Sequence, residues 1–324
     1  MIKRSFLKLV DFLENSIISE RKIYNSLKVV LYHSVSDEDN FLISNLGNTI
    51  NIDKLNFENH LKFYKNNFNV ISFRDIISGK EIKKNSLIIT FDDGFKDNFT
   101  YAYPLLKKYN LPATICVTSS FLDNNNMFWL SKIQLLKTRN LYNLFQKKYP
   151  VIDIKKNNHL EVDSFINSIF KENNVNLSKL CNTHQLYLNS DDILSMDSKL
   201  ITICSHSHSH FKTNNLNEKD REFEIKESIR ILSKFSKHYL PVYSFPFGIS
   251  GVTYDKQDLT LLSKYNIYYF FSSLNGGGVN YRVKRNILRS SISSQVFDLD
   301  SLNNFIKRSY HYKRFLKNLY NYFS

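Results

Sequence analysis

Paired carboxylates and alternating histidines are the features of this 324-residue chain whose types and spacing could do chemistry. Asp92 and Asp93 stand side by side between the apolar run Leu87-Ile88-Ile89 and Gly94. Short runs of this composition form buried strands. Because adjacent carboxylates repel, a chain places them at a strand end mainly to hold a cation or to divide two roles between groups of different pKa. The alternative is a plain solvated turn, since Asp-Gly is a common turn dipeptide.

Three histidines far down the chain could supply the partners of these carboxylates. His206, His208 and His210 alternate with serines after an apolar, strand-like stretch. His206 and His210 are four residues apart, so they share a face on a helical turn and also on a strand. Two imidazoles with one carboxylate are a common ligand set for catalytic zinc, in which one position stays open for water. The alternative interpretation is a His-rich metal scavenger on the surface.

The two motifs together resemble those of a known family. Thr90-Phe91-Asp92-Asp93-Gly94 and His206–His210 are similar to the main motifs of the polysaccharide deacetylase family, the NodB-homology carbohydrate esterases. A third block, Tyr243–Gly248, resembles the proline-glycine motif of that family. The match extends to Val30–Val35 and to Asn286–Arg289. One such motif would be weak, but several in the family's order are specific.

The resemblance implies an α/β fold, a distorted (β/α) barrel of about seven parallel strands, with site residues at the carboxyl ends of strands. Strand-like runs alternate with helical spacings in residues 28–123 and 190–300, as in parallel βαβ units, and these segments are expected to form the deacetylase domain. Residues 124–189 are rich in Asn and Lys and predict a helical insertion, in which Trp129 could stack on a sugar. Residues 1–27 and 301–324 predict amphipathic helices, the second of them basic.

The amino-acid composition indicates which binding partners and which compartment are expected. The net charge of +14 suggests anionic surroundings, yet no lysine-rich block interleaved with aromatic residues predicts a nucleic-acid surface. Cys116, Cys181 and Cys204 are far apart and odd in number, which favours reduced thiols. The sequence shows neither a signal peptide nor a membrane span, so we expect a cytoplasmic protein. Its basic C-terminal helix either packs on the barrel or contacts an anionic membrane face.

The mechanism that the resemblance implies is hydrolysis of an N-acetyl or O-acetyl group on a glycan, or on a lipid- or nucleotide-linked sugar, during surface-polysaccharide or cell-envelope biosynthesis. Asp93, His206 and His210 would bind a divalent metal, with Zn²⁺ first among the candidates. Metal binding lowers the pKa of water from about 15.7 toward about 7. Asp92 would be the general base that takes the water proton.

The remaining motif residues receive supporting roles from the same resemblance. The Phe247 N–H, next to Pro246, would donate to the oxyanion of the tetrahedral intermediate. Ser207 would help hold the glycan or the loop. His208 is expected to lie beside the site without being a ligand.

Two positions depart from the family's usual pattern, as they do in a subgroup of the family. Ser244 stands where many members have an arginine that pairs with the base, and Leu288-Arg289-Ser290 replaces the late Leu-x-His motif that supplies the acid. His33, which follows the first strand, is our candidate for the missing acid. Arg289 is our candidate for orienting the base. The departures leave open a second interpretation, a catalytically impaired carbohydrate-binding protein with the same fold; a nucleic-acid binder is supported by charge alone.

Overall fold

The structure is a computed structural model that describes residues 27–37, 40–44, 50–272 and 286–292. The helix predicted for residues 1–27, apart from its last residue, lies outside the described residues, and so does the basic helix predicted for residues 301–324. Both terminal helices, and any membrane contact of the second, therefore stay predictions.

Buried strands alternate with helices through most of the described chain. The strands are β1 (Lys28–Tyr32), β2 (Ser34–Val35), β3 (Asn51–Ile52), β4 (Asn69–Val70), β5 (Ser86–Phe91), β6 (Ala113–Val117), β7 (Ile201–Ser205), β8 (Tyr239–Ser244), β9 (Tyr269–Ser272), β10 (Asn286–Leu288) and β11 (Ser290–Ser291). The α-helices are α1 (Phe41–Ser44), α2 (Lys54–Asn67), α3 (Phe73–Ile77), α4 (Tyr103–Tyr109), α5 (Trp129–Thr138), α6 (Tyr142–Lys148), α7 (His159–Glu172), α8 (Leu177–His184), α9 (Ser190–Ser195), α10 (Glu218–Leu232) and α11 (Lys256–Lys264).

One parallel sheet organises these elements. Its strands follow the order β10-β9-β8-β7-β6-β5-β1-β11, and β4 also pairs with β5. Only Arg289 separates β10 from β11 in the chain, yet β10 pairs with β9 and β11 pairs with β1, at opposite edges of the sheet. Residues 286–291 therefore connect the two edges and close the sheet. The predicted distorted parallel (β/α) barrel is confirmed, with nine strands among the described residues when those of two or three residues are counted.

The central strands are apolar because both of their faces are covered. Every residue of β1, β5, β6 and β7 is buried, as expected for parallel strands with side chains packed inside the barrel and helices outside it. Several helices begin at residues whose side chains accept backbone N–H bonds: Asp53 caps α2, while Ser72, Asn189 and Asp255 form capping boxes at α3, α9 and α11. The candidate site residues lie outside this regular scaffold, at the ends of the strands.

Segment 124–189, between β6 and β7, contains the four helices α5 to α8. Its apolar side chains form one cluster with Phe95, Phe121 and Phe211, which follow β5, β6 and β7. In its interior the Lys132 Nζ lies 2.7 Å from Asp163 Oδ1, and the Lys132 side chain is fully buried. The segment therefore packs on the carboxyl ends of the barrel strands.

The three cysteines are free and buried. Among the described residues, no helix combines the length and the apolar character needed to cross a membrane.

Candidate active site

Parallel strands bring the candidate residues to one end of the barrel. β5 ends at Phe91 and is followed by the two aspartates, whereas β7 ends at Ser205 and is followed by His206. Because β6 pairs with both β5 and β7, the carboxyl ends of these strands lie along one edge. His33 follows β1, the other neighbour of β5. The sheet thus brings residues that are far apart in the sequence close together in space.

Asp93, His206 and His210 meet at this edge, and all three are buried. The Asp93 Oδ1 lies 3.3 Å from His206 Nε2 and 3.2 Å from His210 Nε2. The two Nε2 atoms are 3.2 Å apart. The structure therefore brings together the three residues that the sequence predicts as metal ligands.

The chemistry of this donor set fits a divalent cation. The His206 Nδ1 lies 2.9 Å from the Ser244 carbonyl oxygen, to which it can only donate, so the neutral ring presents a lone pair at Nε2. Such a bond to the second ring nitrogen is usual for metal-binding histidines. Asp93 Oδ1 is buried and has no hydrogen-bond partner among the described residues. A cation coordinated by Asp93, His206 and His210 would bind Asp93 Oδ1 and the Nε2 atoms of both histidines, as in catalytic zinc sites with an open position.

The loop that carries the histidines is held in an unusual backbone conformation. Ser207 and His210 have φ values of +62° and +59°, and Asp93 on the facing loop has +70°. Such conformations cost of order 1–3 kcal/mol each and persist where the surroundings fix them. Here the Ser207 Oγ accepts the His210 N–H at 2.9 Å, and Glu224 accepts the N–H groups of the two residues between them. Ser207 is fully buried and thus supports the loop.

Asp92 is paired with Arg289 inside the closed barrel. The guanidinium donates to both carboxylate oxygens at 2.6 Å, and its Nη2 also donates to Ser244 Oγ at 2.8 Å. The Arg289 side chain is fully buried. Two parallel bonds to one carboxylate fix its plane as well as its charge. Arg289 and Ser244, the two departures from the family pattern, are therefore in contact with each other and with the candidate base.

The electrostatics of the site follow from burial and from these partners. Burial by itself would raise the pKa of Asp92, but Arg289 and His206 lower it to about 2. Burial likewise opposes ionisation of Asp93, yet His210 and His206 hold its pKa well below the usual range. Both carboxylates are therefore ionised at neutral pH.

His33 and Phe247 complete the predicted set. The His33 Nδ1 is buried without a hydrogen-bond partner among the described residues, and burial lowers the pKa of the ring although Asp93 and Asp92 oppose this. The ring of Phe247, which follows the buried Pro246, lies 5.0 Å from the His210 ring between centroids. None of the hydrogen bonds between described residues uses the Phe247 N–H. It remains available as a donor.

His208 turns away from the three-residue group. Its Nδ1 lies 2.9 Å from Ser119 Oγ, and its ring packs edge-on against Phe223.

The interpretation of Trp129 as a sugar platform is wrong, because its side chain is 1% exposed. Its ring packs against Phe128 and His159. Sequence reasoning also missed these two neighbours, which lie in segment 124–189: Phe128 packs beside His210, and His159 beside Phe247. No motif marks them, and only their aromatic character could have drawn attention to them.

Comparisons with known proteins agree with this geometry. A family model described as polysaccharide deacetylase matches residues 79–270, more than half of the chain. The Bacillus subtilis (strain 168) protein YxkH, provisionally named a polysaccharide deacetylase, is 34% identical over 94 residues. That alignment covers 28% of this chain, and the chain spans 30% of the length of YxkH.

Solved structures show the same fold. The Streptococcus pyogenes deacetylase PplD, solved in complex with acetate, aligns over 87% of this chain and 98% of its own, with a TM-score of 0.54 and 15% identity. BC0361, a polysaccharide deacetylase from Bacillus cereus, aligns over 87% of this chain and 69% of its own, with a TM-score of 0.58 and 17% identity. With its motifs on that fold and the family model matching most of its barrel, this chain belongs to the polysaccharide deacetylase family.

Proposed function

We propose that this chain is a metal-dependent hydrolase that removes an N-acetyl, or alternatively an O-acetyl, group from a glycan or glycan precursor. The observation that carries the proposal is the group of Asp93, His206 and His210, whose facing atoms lie within 3.3 Å of one another. Beside it stands an ionised carboxylate, Asp92, held by Arg289. The deacetylases among the family relatives support the same reaction class.

Asp92 is the general base of the proposed reaction. A divalent metal, Zn²⁺ first among the candidates, would supply Lewis-acid polarisation of water and of the acetyl carbonyl when bound to Asp93, His206 and His210. Asp92 accepts the proton of the attacking water. Arg289 fixes the orientation of the carboxylate through its two bonds. Attack then converts the planar acetyl carbon to a tetrahedral one and leaves negative charge on its oxygen.

The Phe247 N–H donates to that oxygen, and His33 protonates the leaving amine. A backbone donor aimed at a developing oxyanion is typically among the larger contributions to catalysis. An amine leaves poorly unless it is protonated, so amide cleavage requires an acid near the scissile bond. His33 is our candidate acid because Asp93 and Asp92 favour its protonated form against the lowering of its pKa by burial, and because its Nδ1 has no hydrogen-bond partner among the described residues. These roles make acetate and a free amino sugar the products.

The substrate that we propose is an acetylated amino-sugar polymer, or its lipid- or nucleotide-linked precursor, from surface-polysaccharide assembly. We assign the deacetylase domain to residues 28–123 and 190–300, and the helical insertion to residues 124–189. The organisation of the sheet supports this division, because β6 and β7 pair directly although the insertion separates them in the chain.

Acetate release tests the proposed function. The purified full chain, loaded with one equivalent of zinc, should release acetate from at least one member of a panel of N-acetylated oligosaccharides, O-acetylated xylan and lipid-linked amino sugars. An enzymatic acetate assay and the mass loss of one acetyl group measure the reaction. Binding of an oligosaccharide without acetate release would instead support the catalytically impaired carbohydrate-binding protein. If the chain neither binds nor deacetylates any member of the panel, both proposals are contradicted.

The leaving group tests His33. We expect His33→Gln to lower kcat about 10²-fold on an N-acetyl substrate, which lies within the usual contribution of a general acid. On 4-nitrophenyl acetate, whose leaving group needs no proton, the loss should stay within about threefold. Parallel kinetics on both substrates measure the difference.

His184→Gln is the matched control, because this half-buried histidine is not among the site residues. Its two rates should stay near those of the unmodified chain. Equal losses of His33→Gln on both substrates would show that the residue acts on structure or metal binding, and an unchanged rate would show that the acid is another group.

A further inference from the structure

Phe247 carries a backbone conformation that its own side chain disfavours. Its φ is +60°, and Gly248 follows with +64°. A bulky residue rarely adopts this left-handed conformation, and it persists only where the surroundings hold it. Since the direction of the Phe247 N–H depends on this φ, whatever holds the residue also aims its donor.

Three rings surround the Phe247 side chain. The His210 ring lies at 5.0 Å between centroids, the His159 ring at 5.3 Å and the Phe128 ring at 6.3 Å. His210 belongs to the candidate metal group, but His159 and Phe128 both belong to segment 124–189. Segment 124–189 therefore supplies two of the three rings that pack against Phe247.

His159 is itself held rigidly. It is fully buried, its Nε2 lies 2.9 Å from the Ile154 carbonyl oxygen, and its Nδ1 accepts the Lys212 N–H at 3.3 Å. These bonds require the neutral tautomer with the proton on Nε2. The Trp129 ring packs on the imidazole at 4.9 Å. The imidazole therefore presents a fixed face to Phe247 at an interplanar angle of 66°.

We propose that His159 is a positioning residue, which acts through Phe247 to aim the oxyanion donor. The turn at Phe247 is closed by the Gly248 N–H, which donates to the Pro246 carbonyl oxygen at 2.7 Å. The clamped His159 ring keeps the Phe247 ring from rotating out of its place above this turn. The catalytic consequence rests on the proposed function, whereas the positioning itself can be tested without turnover. The inference gives the helical insertion a role in the reaction, although it contributes no metal ligand.

A double-mutant cycle tests the catalytic consequence. His159→Gln keeps a donor and an acceptor but removes the ring, and we expect kcat to fall about tenfold, a part of the roughly 10²–10³-fold that loss of an oxyanion donor costs. KM and zinc content should stay within about twofold. Phe247→Gly removes the ring on which His159 acts, so adding His159→Gln to it should cause no further loss of kcat. Equal losses in both backgrounds would overturn the proposal.

The matched control is His238→Gln. His238 is also buried and its Nε2 lies 3.0 Å from a backbone carbonyl oxygen, but it precedes β8 at the opposite end of the barrel. Its kcat should equal that of the unmodified chain. If His238→Gln lost as much kcat as His159→Gln, the loss in both variants would reflect general destabilisation. That result would contradict a positioning role for His159.

A spectroscopic readout separates failure of this inference from failure of the proposed function. In ¹⁵N-phenylalanine-labelled full chain, the Phe247 amide signal is assigned by its absence from Phe247→Gly. We expect this signal to shift or broaden in His159→Gln and to stay in place in His238→Gln. An unchanged signal would overturn the positioning whether or not any substrate is hydrolysed. Absence of acetate release by the unmodified chain, with the signal shifted as expected, would contradict only the proposed function.

Discussion

Replacement of Asp93 by alanine is expected to abolish both zinc binding and acetate release. Asp93 Oδ1 lies within 3.3 Å of the Nε2 atoms of His206 and His210, so it closes the donor set and brings its only negative charge. Two neutral imidazoles alone hold a divalent cation weakly compared with the usual three-residue set of catalytic zinc. We expect metal content to fall from about one equivalent to background, and kcat to fall by at least about 10³-fold. Elemental analysis and the acetate assay measure the two losses.

The neighbouring carboxylate provides the sharpest control. Asp92→Asn should retain about one equivalent of zinc and yet lose activity by about 10²–10⁴-fold, because the role that we propose for Asp92 is that of a base and not of a ligand. Asp191→Ala, at an exposed carboxylate in the first turn of α9, should change neither quantity. Metal retained by Asp93→Ala, or lost from Asp92→Asn, would show that the two roles have been assigned to the wrong aspartates.

Replacement of Arg289 by alanine is expected to move the acidic limb of the pH–rate profile to higher pH. The base must be ionised to accept a proton, and the guanidinium helps to hold the pKa of Asp92 at about 2 against its burial. An adjacent cation lowers a carboxyl pKa by about 1–3 units. Without it the pKa of Asp92 rises by about that amount, so activity that the unmodified chain keeps at low pH is lost. The pH dependence of kcat/KM measures the shift.

Arg289→Ala will also destabilise the fold. Removing one partner of a buried ion pair costs about 3–5 kcal/mol, because the other charge stays buried without compensation. Urea unfolding of the variant should therefore be measured at neutral pH, and the kinetic assays should be run under conditions in which the variant is folded. Arg289→Lys keeps the charge but cannot make the paired bonds, so its acidic limb should stay closer to that of the unmodified chain while kcat falls. If the acidic limb of Arg289→Ala does not move, Arg289 does not tune the base.

The fold and the central residues of the site could be predicted from local sequence. Asp92 and Asp93 follow an apolar strand run, and His206 and His210 follow another, so the motifs mark both their identity and their place at strand ends. Parallel strands then bring these ends together whatever the details of the loops. The local patterns predict parallel βαβ units and the resemblance to the family implies the barrel, which is confirmed.

The partners of those residues could be predicted only in part. Arg289 and Asp92 are 197 residues apart, and their contact exists because β10 and β11 join opposite edges of the sheet. The sequence suggested the pair from a motif position, but only closure of the barrel brings the guanidinium to the carboxylate. The bond from Arg289 to Ser244 depends on the same closure.

The contribution of the insertion was decided by tertiary structure alone. The sequence left open that Trp129 is an exposed platform, because the identity of an aromatic residue does not show whether it lies in a core or on a surface. Phe128 and His159 carry no motif, yet they pack on His210 and Phe247 once the helices fold over the strand ends. By itself the sequence indicated parallel βαβ units through local patterns, and its motifs, through their resemblance to a family, indicated the barrel and the candidate site residues. Which side chains hold them in place was decided by packing between distant segments, which no local pattern records.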